Sequence, residues 1–488
     1  MSGILEKTEL IIGIVAPVGA DFGKISDFIL TNLQKFNYKV NTIKLSDYLK
    51  NNPIIKNVKI KEDTEYNRIN TLMSAGDELR KVTTNTILAI LAMHEIRKLR
   101  PNKEEPLKSH AHILLSLKHT EEVMTLRKIY THGFFLIGVS SSYNNRYGFL
   151  KNRKSLTDDQ IKKICKRDED ESVSYGQHTR DVFEMSDAFI DIDSNDVECQ
   201  FERIFQLIFG SPHITPTKDE YAMHIAYSSS LRSSDLSRQV GAVILSSNGE
   251  IISTGANEVP KAGGGLYWPE DKEIHRDTEK GYDSNEKRKY ELAEKIITKL
   301  KPELLEDSDN LDISEMKKIF ADTGVFDITE YGRQVHAEME ALISCARIGI
   351  STRGCTLYST TFPCHNCAKH IVSSGISRVV FVEPYPKSKA LDLHDDSISF
   401  PHDNKDDNES GKVVFEPYVG VGHRIFVDVF SMKLSTGRQI IRKANGEKIK
   451  WKPSDSSPRL QLLPLSYIER ERGIIGDISD LIVKMKLN

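Results

Sequence analysis

Three residues that bind soft or borderline metals, and one carboxylate, stand close together in the second half of the chain. They are His336 and Glu338 in Val335-His336-Ala337-Glu338, and Cys364 and Cys367 in Pro363-Cys364-His365-Asn366-Cys367. Each group is expected to open a helix, one running to Ile348 and the other to Ser374. Cysteines three residues apart share a helix face, and the helix N-terminus favours their thiolates. One imidazole and two thiolates fill three of the four tetrahedral positions that zinc prefers. The fourth stays open for water, which is the pattern of a catalytic site rather than a structural one. Zinc brings the pKa of its water toward neutrality, and Glu338, two residues from His336, is placed to take the proton and hand it on. A redox pair or half a zinc ribbon is the alternative for a lone C-x-x-C, but no second C-x-x-C exists. Cys345 and Cys355 read as buried apolar thiols, and His365, His370 and His394 receive no metal role.

The order H-x-E then P-C-x-x-C resembles the signature of zinc nucleobase deaminases, which implies hydrolytic loss of ammonia from an amidine-like ring carbon. Within that group, Ser233-Ser234-Asp235-Leu236-Ser237-Arg238-Gln239-Val240-Gly241-Ala242-Val243-Ile244 and Thr254-Gly255-Ala256-Asn257-Glu258 resemble the opening hairpin of deoxycytidylate deaminases. The tight spacing of Cys364 and Cys367 departs from that of the riboflavin-pathway enzymes. The resemblance implies that Asn257 hydrogen-bonds the sugar, a turn-forming asparagine being the alternative. It also gives Ser237 and Arg238 a phosphate to hold, against a solvated or ion-paired arginine. Tyr385 would pack on the base, or serve as a core aromatic.

These residues need a scaffold to bring them together. Val240 to Leu245 and Ile251 to Gly255 read as a hairpin across Asn248-Gly249, a strong turn signal. A helix from Val335, a strand Thr356 to Ser359, a helix from Cys364 and a strand Arg378 to Val382 come next, together a mixed sheet flanked by helices. Residues 260 to 330 interrupt this pattern with Gly263-Gly264-Gly265 and many acids, an insertion beside the site. His394 to Gly411 reads as a polar loop, Ile425 to Phe430 as a strand, and Ile475 to Leu487 as an amphipathic segment.

Upstream, strand-like runs at Leu10 to Val15, His112 to Leu117, Phe134 to Ser140 and Ala188 to Ile192 alternate with helical stretches. That alternation predicts a mostly parallel sheet covered on both faces. Gly210-Ser211-Pro212 marks a boundary, so the expected α/β architecture has a first unit at 1–212 and a deaminase-like α/β/α unit at 213–488. The first unit resembles a P-loop kinase-like domain, yet Val18-Gly19-Ala20-Asp21-Phe22-Gly23-Lys24-Ile25 departs from Gly-x4-Gly-Lys-Ser/Thr. Valine stands where the first glycine belongs, and isoleucine where the magnesium-binding hydroxyl belongs. Gly19, Gly23 and Lys24 remain candidates for holding a regulatory nucleotide, and phosphoryl transfer is disfavoured.

Over nearly its whole length the chain resembles the anti-phage dCTP deaminases. The similarity is carried by Tyr66-x-Arg68-Ile69 with Leu72 to Arg80, by Arg167-Asp168-Glu169 with Tyr175-Gly176-Gln177, and by Gly263 to Trp268. That resemblance implies deamination of dCTP and dCMP with zinc as cofactor, a drained cytosine nucleotide pool, a homo-oligomer and, in some relatives, a small inhibitory RNA. The competing reading is an editor that acts on RNA or DNA, or a deaminase-fused nucleotide sensor. The 488 residues carry a net charge of only −3, which gives no global field for a polyanion and favours the free nucleotide. The first apolar run is too short for a membrane span, and six scattered cysteines make no disulfide framework. A cytoplasmic protein is expected.

Overall fold

The computed structural model describes residues 7–169, 171, 173–300, 313–320, 323–383, 389–401, 411–461 and 464–485. Among them the chain forms an α/β structure around two six-stranded sheets. Strands β1 (Leu10–Val15), β2 (Lys39–Lys44), β3 (His110–Leu115), β4 (Phe134–Ser140) and β5 (Ala188–Asp191) lie in the order β5-β4-β1-β3-β2, all parallel. The run Leu-Ile-Ile-Gly-Ile-Val of β1 is buried throughout, as a central parallel strand covered on both faces must be. Ile11 and Val15 face helices Glu65–Val82 and Ile87–Leu99. Leu10, Ile12 and Ile14 face helices Phe22–Lys35 and Val197–Ile208. Strand β2 is not apparent from hydropathy, because at the sheet edge only Ile43 of its six residues is buried.

In the second sheet, β6 (Gly241–Leu245) and β7 (Ile251–Ala256) form the expected antiparallel hairpin, with Gly249 at φ +87° in the turn. β8 (Thr356–Ser359) pairs antiparallel with β6. From there β9 (Arg378–Phe381), β11 (Val413–Pro417) and β10 (Ile398–Ser399) continue parallel, so the sheet is mixed. Helix Lys218–Ser230 packs on one face, and helices Ala337–Ile348 and His365–Ser373 on the other. Two glycines allow the close approach. A methyl on Gly241 would overlap the Ala226 carbonyl, and one on Gly255 would overlap the Ala337 carbonyl.

The end of the chain differs from its sequence reading in two ways. The segment expected as a strand at Ile425 to Phe430 is a helix, His423–Phe430, with Ile425, Phe426 and Val429 buried at helical spacing and Val427 exposed. Moreover, part of the chain beyond residue 213 returns to the first sheet. Strand β12 (Gly420–Val421) pairs antiparallel with β5, and helix Pro464–Asp477 packs on helices Ile87–Leu99 and Thr120–Tyr130.

A fully buried network ties helix Pro464–Asp477 down. Arg100 donates to Glu471 and to Glu9, each at 2.9 Å, while the Tyr130 and Tyr467 hydroxyls donate to Glu471 and Glu9. Burial works to raise the Glu9 pKa, but hydrogen bonds from His112 and Arg100 outweigh it and hold the carboxyl down at about 2. The 260–330 insertion contributes helices Asp277–Lys280, Ser284–Leu300 and Ile313–Ile319, while 301–312 lie outside the described residues, as do 402–410 of the expected polar loop.

Candidate metal centre

Backbone pairing sets His336 in place. Glu258, just past β7, and Val335 exchange both of their main-chain hydrogen bonds, which fixes the residue immediately before His336. His336 is then the N-cap of helix Ala337–Ile348, and Cys364 that of helix His365–Ser373. The ligand atoms of His336, Cys364 and Cys367 all lie within 4.8 Å of one another. His336 Nδ1 is 3.3 Å from Cys364 Sγ and 3.4 Å from Cys367 Sγ.

The chemistry of this donor set suits a divalent ion. A hydrogen bond from Cys367 and the charge of the neighbouring imidazole bring the Cys364 thiol down to about 4, so a thiolate is available at neutral pH. The hydrogen bond to Cys364 in turn raises His336 to about 9, and the hydrogen bond with Cys364 and burial push the Cys367 thiol up, so a bound cation must displace a proton from each. Two sulfurs and a nitrogen at helix N-termini are borderline-soft donors of the kind zinc takes.

Glu338 is 3% exposed beside them, its Oε2 accepting from the Cys367 thiol at 3.4 Å and its Oε1 from the Ser359 hydroxyl at 3.1 Å. Burial pushes its pKa up, which suits a group that must both accept and return a proton near neutral pH. Ser359, at the end of β8, escapes notice in the sequence. Its one clue is that Cys364 lies five residues further on.

A pocket of about 240 Å³ opens over these groups, walled by Phe362, Thr361, Gln334, Asn257, Ser237 and Arg238 among others. Asn257 lines it, but both ends of its amide hold the adjoining loop: Oδ1 accepts from the Val240 N–H at 2.7 Å and Nδ2 donates to the Arg238 carbonyl at 2.8 Å. Arg238 and Ser237 are exposed on that loop. Ser237 donates to Asp283 at 3.3 Å, and Asp283 caps helix Ser284–Leu300 of the insertion. Asp283 and Asn285 therefore bring the insertion to the pocket wall. Asp283-Ser284-Asn285-Glu286 carries an acid three residues after a capping side chain, a signal that could have marked this helix start. Tyr385 lies outside the described residues.

The other candidates lie apart from this pocket, on the loop after β1 and in the first turn of helix Phe22–Lys35. Asp21 accepts from the Gly23 and Lys24 amides at 3.1 and 3.2 Å, so a carboxylate of the chain itself occupies the amides that would hold a phosphate. Lys24 Nζ donates to the Ile192 carbonyl at 2.9 Å, and Gly19 sits at φ +92°.

A fold of two α/β sheets, with a histidine and two cysteines gathered beside a buried glutamate, forms a candidate site for a divalent metal ion. Residues 216–383 match the model of the cytidine and deoxycytidylate deaminase zinc-binding region. The deoxycytidylate deaminase of Enterobacteria phage T4 is 33% identical over 182 residues, 35% of this chain and 81% of the phage protein. The phage T2 deoxycytidylate deaminase is 34% identical over 174 residues, 35% of this chain and 83% of its own length. The dCMP deaminase of cyanophage S-TIM5, solved with dCMP and dUMP, aligns over 42% of this chain and 99% of its own at 19% identity, with a TM-score of 0.24. The chain belongs to the cytidine and deoxycytidylate deaminase family, and zinc is the ion of that family's metal-binding region.

Proposed function

We propose that this protein is a hydrolytic deaminase that converts free deoxycytidine nucleotides, dCMP and dCTP, to the deoxyuridine forms with release of ammonia. The observation that carries this reading is the convergence of His336, Cys364 and Cys367 within 4.8 Å beside the buried Glu338 carboxyl, in a chain related to deoxycytidylate deaminases. His336, Cys364 and Cys367 are the residues that would hold zinc. When bound, zinc supplies Lewis acidity that makes water nucleophilic near neutral pH.

The chain's own groups do the rest. Glu338, oriented by Ser359, takes a proton from the attacking water and gives it to the ring nitrogen, then takes the second proton from the new hydroxyl and gives it to the amine, which leaves as ammonia. Phe362 gives the base an apolar wall, and Arg238 with Ser237 offers a positive, hydroxyl-bearing rim for phosphate. Asn257 acts first by holding the Arg238 loop in place, and only its pocket-facing surface is left for the sugar. Tyr385 is proposed at the base on family resemblance alone.

Residues 1–212, which form five of the first sheet's six strands, are proposed as a regulatory domain. Its Gly19, Gly23 and Lys24 loop would accept a nucleotide only after Asp21 gives up its amides. The wider proposal is a cytoplasmic homo-oligomer that drains the dCTP pool in anti-phage defence, with a small RNA as an inhibitory partner in some relatives. Among the described residues no helix is long and apolar enough to cross a membrane.

The test incubates zinc-loaded protein with dCMP, dCTP, CTP, deoxycytidine and cytosine-containing single strands, and measures uracil products. Free deoxynucleotides should react, and Glu338→Ala should lose about 10²- to 10⁴-fold in rate while keeping its metal. Reaction of the single strands alone would favour the polynucleotide editor instead.

A further inference from the structure

A cavity of about 460 Å³ lies apart from the metal pocket, at the seam between the end of helix Val197–Ile208 and residues 438–459. Its volume falls in the range of small-molecule sites. Gly210 and Pro212 form one wall, and the later segment forms the other. Three hydrogen bonds hold the two together. The Arg459 N–H donates to the Ile208 carbonyl at 2.8 Å, Arg442 Nε to the Pro212 carbonyl at 2.9 Å, and His213 Nε2 to the Ile449 carbonyl at 2.8 Å.

The lining is cationic. Arg438, Lys450, Lys452 and Arg459 stand in it against one carboxylate, the exposed Asp455. The lysines are exposed and solvated, but the arginines are not. Arg459 is 1% exposed, and Nε of both guanidiniums is buried without a hydrogen-bond partner. The two side chains meet at Gly210, where an added methyl would stand 3.4 Å from Arg459 Cβ and 3.5 Å from Arg438 Nη2.

The partners these arginines do have are neutral. Arg459 donates to the Val429 and Ser431 carbonyls at the end of helix His423–Phe430, and Arg438 donates to the Ser457 carbonyl. Among the described residues neither forms an ion pair. The charge of Asp428 reaches Arg459, but its Oδ1 already accepts from Ser435 and Thr436. Carbonyl dipoles orient a guanidinium without neutralising it, so two like charges are left facing one cavity. Burial lowers the pKa of both, Arg459 to about 10, and both remain charged at neutral pH.

We propose that this cavity is an anion site for a phosphoryl group, held between the Arg438 and Arg459 guanidiniums with Lys450 and Lys452 at its mouth. A tetrahedral dianion supplies what the cavity lacks: negative charge for two buried cations, and oxygens for two unpartnered N–H groups. Trp451, half-buried in the wall, offers a flat surface to an attached organic body. The free ion and a phosphate ester share this chemistry, and their relative affinities tell them apart. Because the site exists only when residues 438–459 lie against Gly210, its ligand stabilises the folded chain. None of this depends on the deaminase reading.

The experiment measures equilibrium binding of labelled inorganic phosphate and of ribose 5-phosphate to the full-length protein, at an ionic strength held constant with chloride. Arg438→Gln, at a half-buried position, keeps a donor for the Ser457 carbonyl and should weaken binding about tenfold or more. Lys450→Glu, at an exposed position, should weaken it severalfold. Arg238 and the loop at Lys24 are intact in both variants, so the loss belongs to this cavity. Tighter binding of ribose 5-phosphate identifies an ester whose body lies on Trp451, and tighter binding of phosphate identifies the free ion.

Thermal unfolding separates an anion site from an arginine that serves the fold alone. Without phosphate, Arg438→Gln relieves the repulsion and should unfold no more readily than wild type. At saturating phosphate or ester, the wild-type Tm should rise by several degrees and that of Arg438→Gln should not. Absence of saturable binding sensitive to Arg438→Gln, or an Arg438→Gln chain destabilised equally with and without the anion, would overturn the site.

Discussion

Glu338 has two polar neighbours with different duties: Cys367 belongs to the metal-binding set, while Ser359 orients the carboxyl from the end of β8. Ser359→Ala removes one hydrogen bond without emptying the pocket. The expected outcome is a fall in kcat of about tenfold with little change in KM, read from steady-state kinetics. Cys364→Ser replaces the thiolate by a poor zinc ligand. Metal analysis after dialysis should show zinc falling well below one ion per chain, and activity should fall with it.

The metal-binding residues and Glu338 are legible in the sequence because their types and short spacings restrict the chemistry by themselves. Ser359 is not legible, since it contributes a single hydrogen bond whose partner is set by the fold, and the cap at Asp283 is legible while its contact with Ser237 is not. Asn257 teaches the same lesson from the other side. Its place after a hairpin strand is readable, but the backbone groups of Val240 and Arg238 that engage its amide are not.

At the scale of elements, the site depends on how closely helix Ala337–Ile348 lies on β7. Gly255 removes the side chain that would hold the two apart. Gly255→Ala should destabilise the protein by about 3 kcal/mol in denaturant unfolding, and should lower activity further, because the displaced helix carries Glu338. The hairpin, β8, β9 and both ligand-bearing helices arise from apolar runs and turn residues, and they lie where those patterns put them. One element the sequence does not reveal and one it misassigns have physical causes. β2 shows water most of its side chains, so its hydropathy is that of a loop. Helix His423–Phe430 is so short that its dense apolar residues read as readily with a strand period.

At the scale of the whole molecule, the Glu9–Arg100–Glu471 network joins the first strand to the last long helix. Removing one partner of a buried ion pair leaves the others uncompensated, so Glu471→Ala should cost about 3–5 kcal/mol of stability. The same network imposes a pH dependence. Glu9 is held at about 2, below its ordinary 4.5, so its contribution is complete above about pH 4.5 and is lost as the pH falls toward 2. The part due to this one carboxyl is roughly 3 kcal/mol. Denaturant unfolding between pH 5 and pH 2 should show this loss, and Glu9→Gln should remove it.

The network also orders events in time. Arg100 and Glu471 are separated by 371 residues, so during synthesis the first sheet, with Arg100 already able to pair with Glu9, leaves the ribosome long before the second carboxylate of the network. The metal-binding segment emerges in the interval. The first sheet therefore waits, with one side of its buried network open, until translation has passed the metal-binding residues. A chain cut short between Cys367 and Glu471 would hold every zinc ligand and still lack a settled first sheet, which makes it a substrate for proteases rather than a half-regulated enzyme.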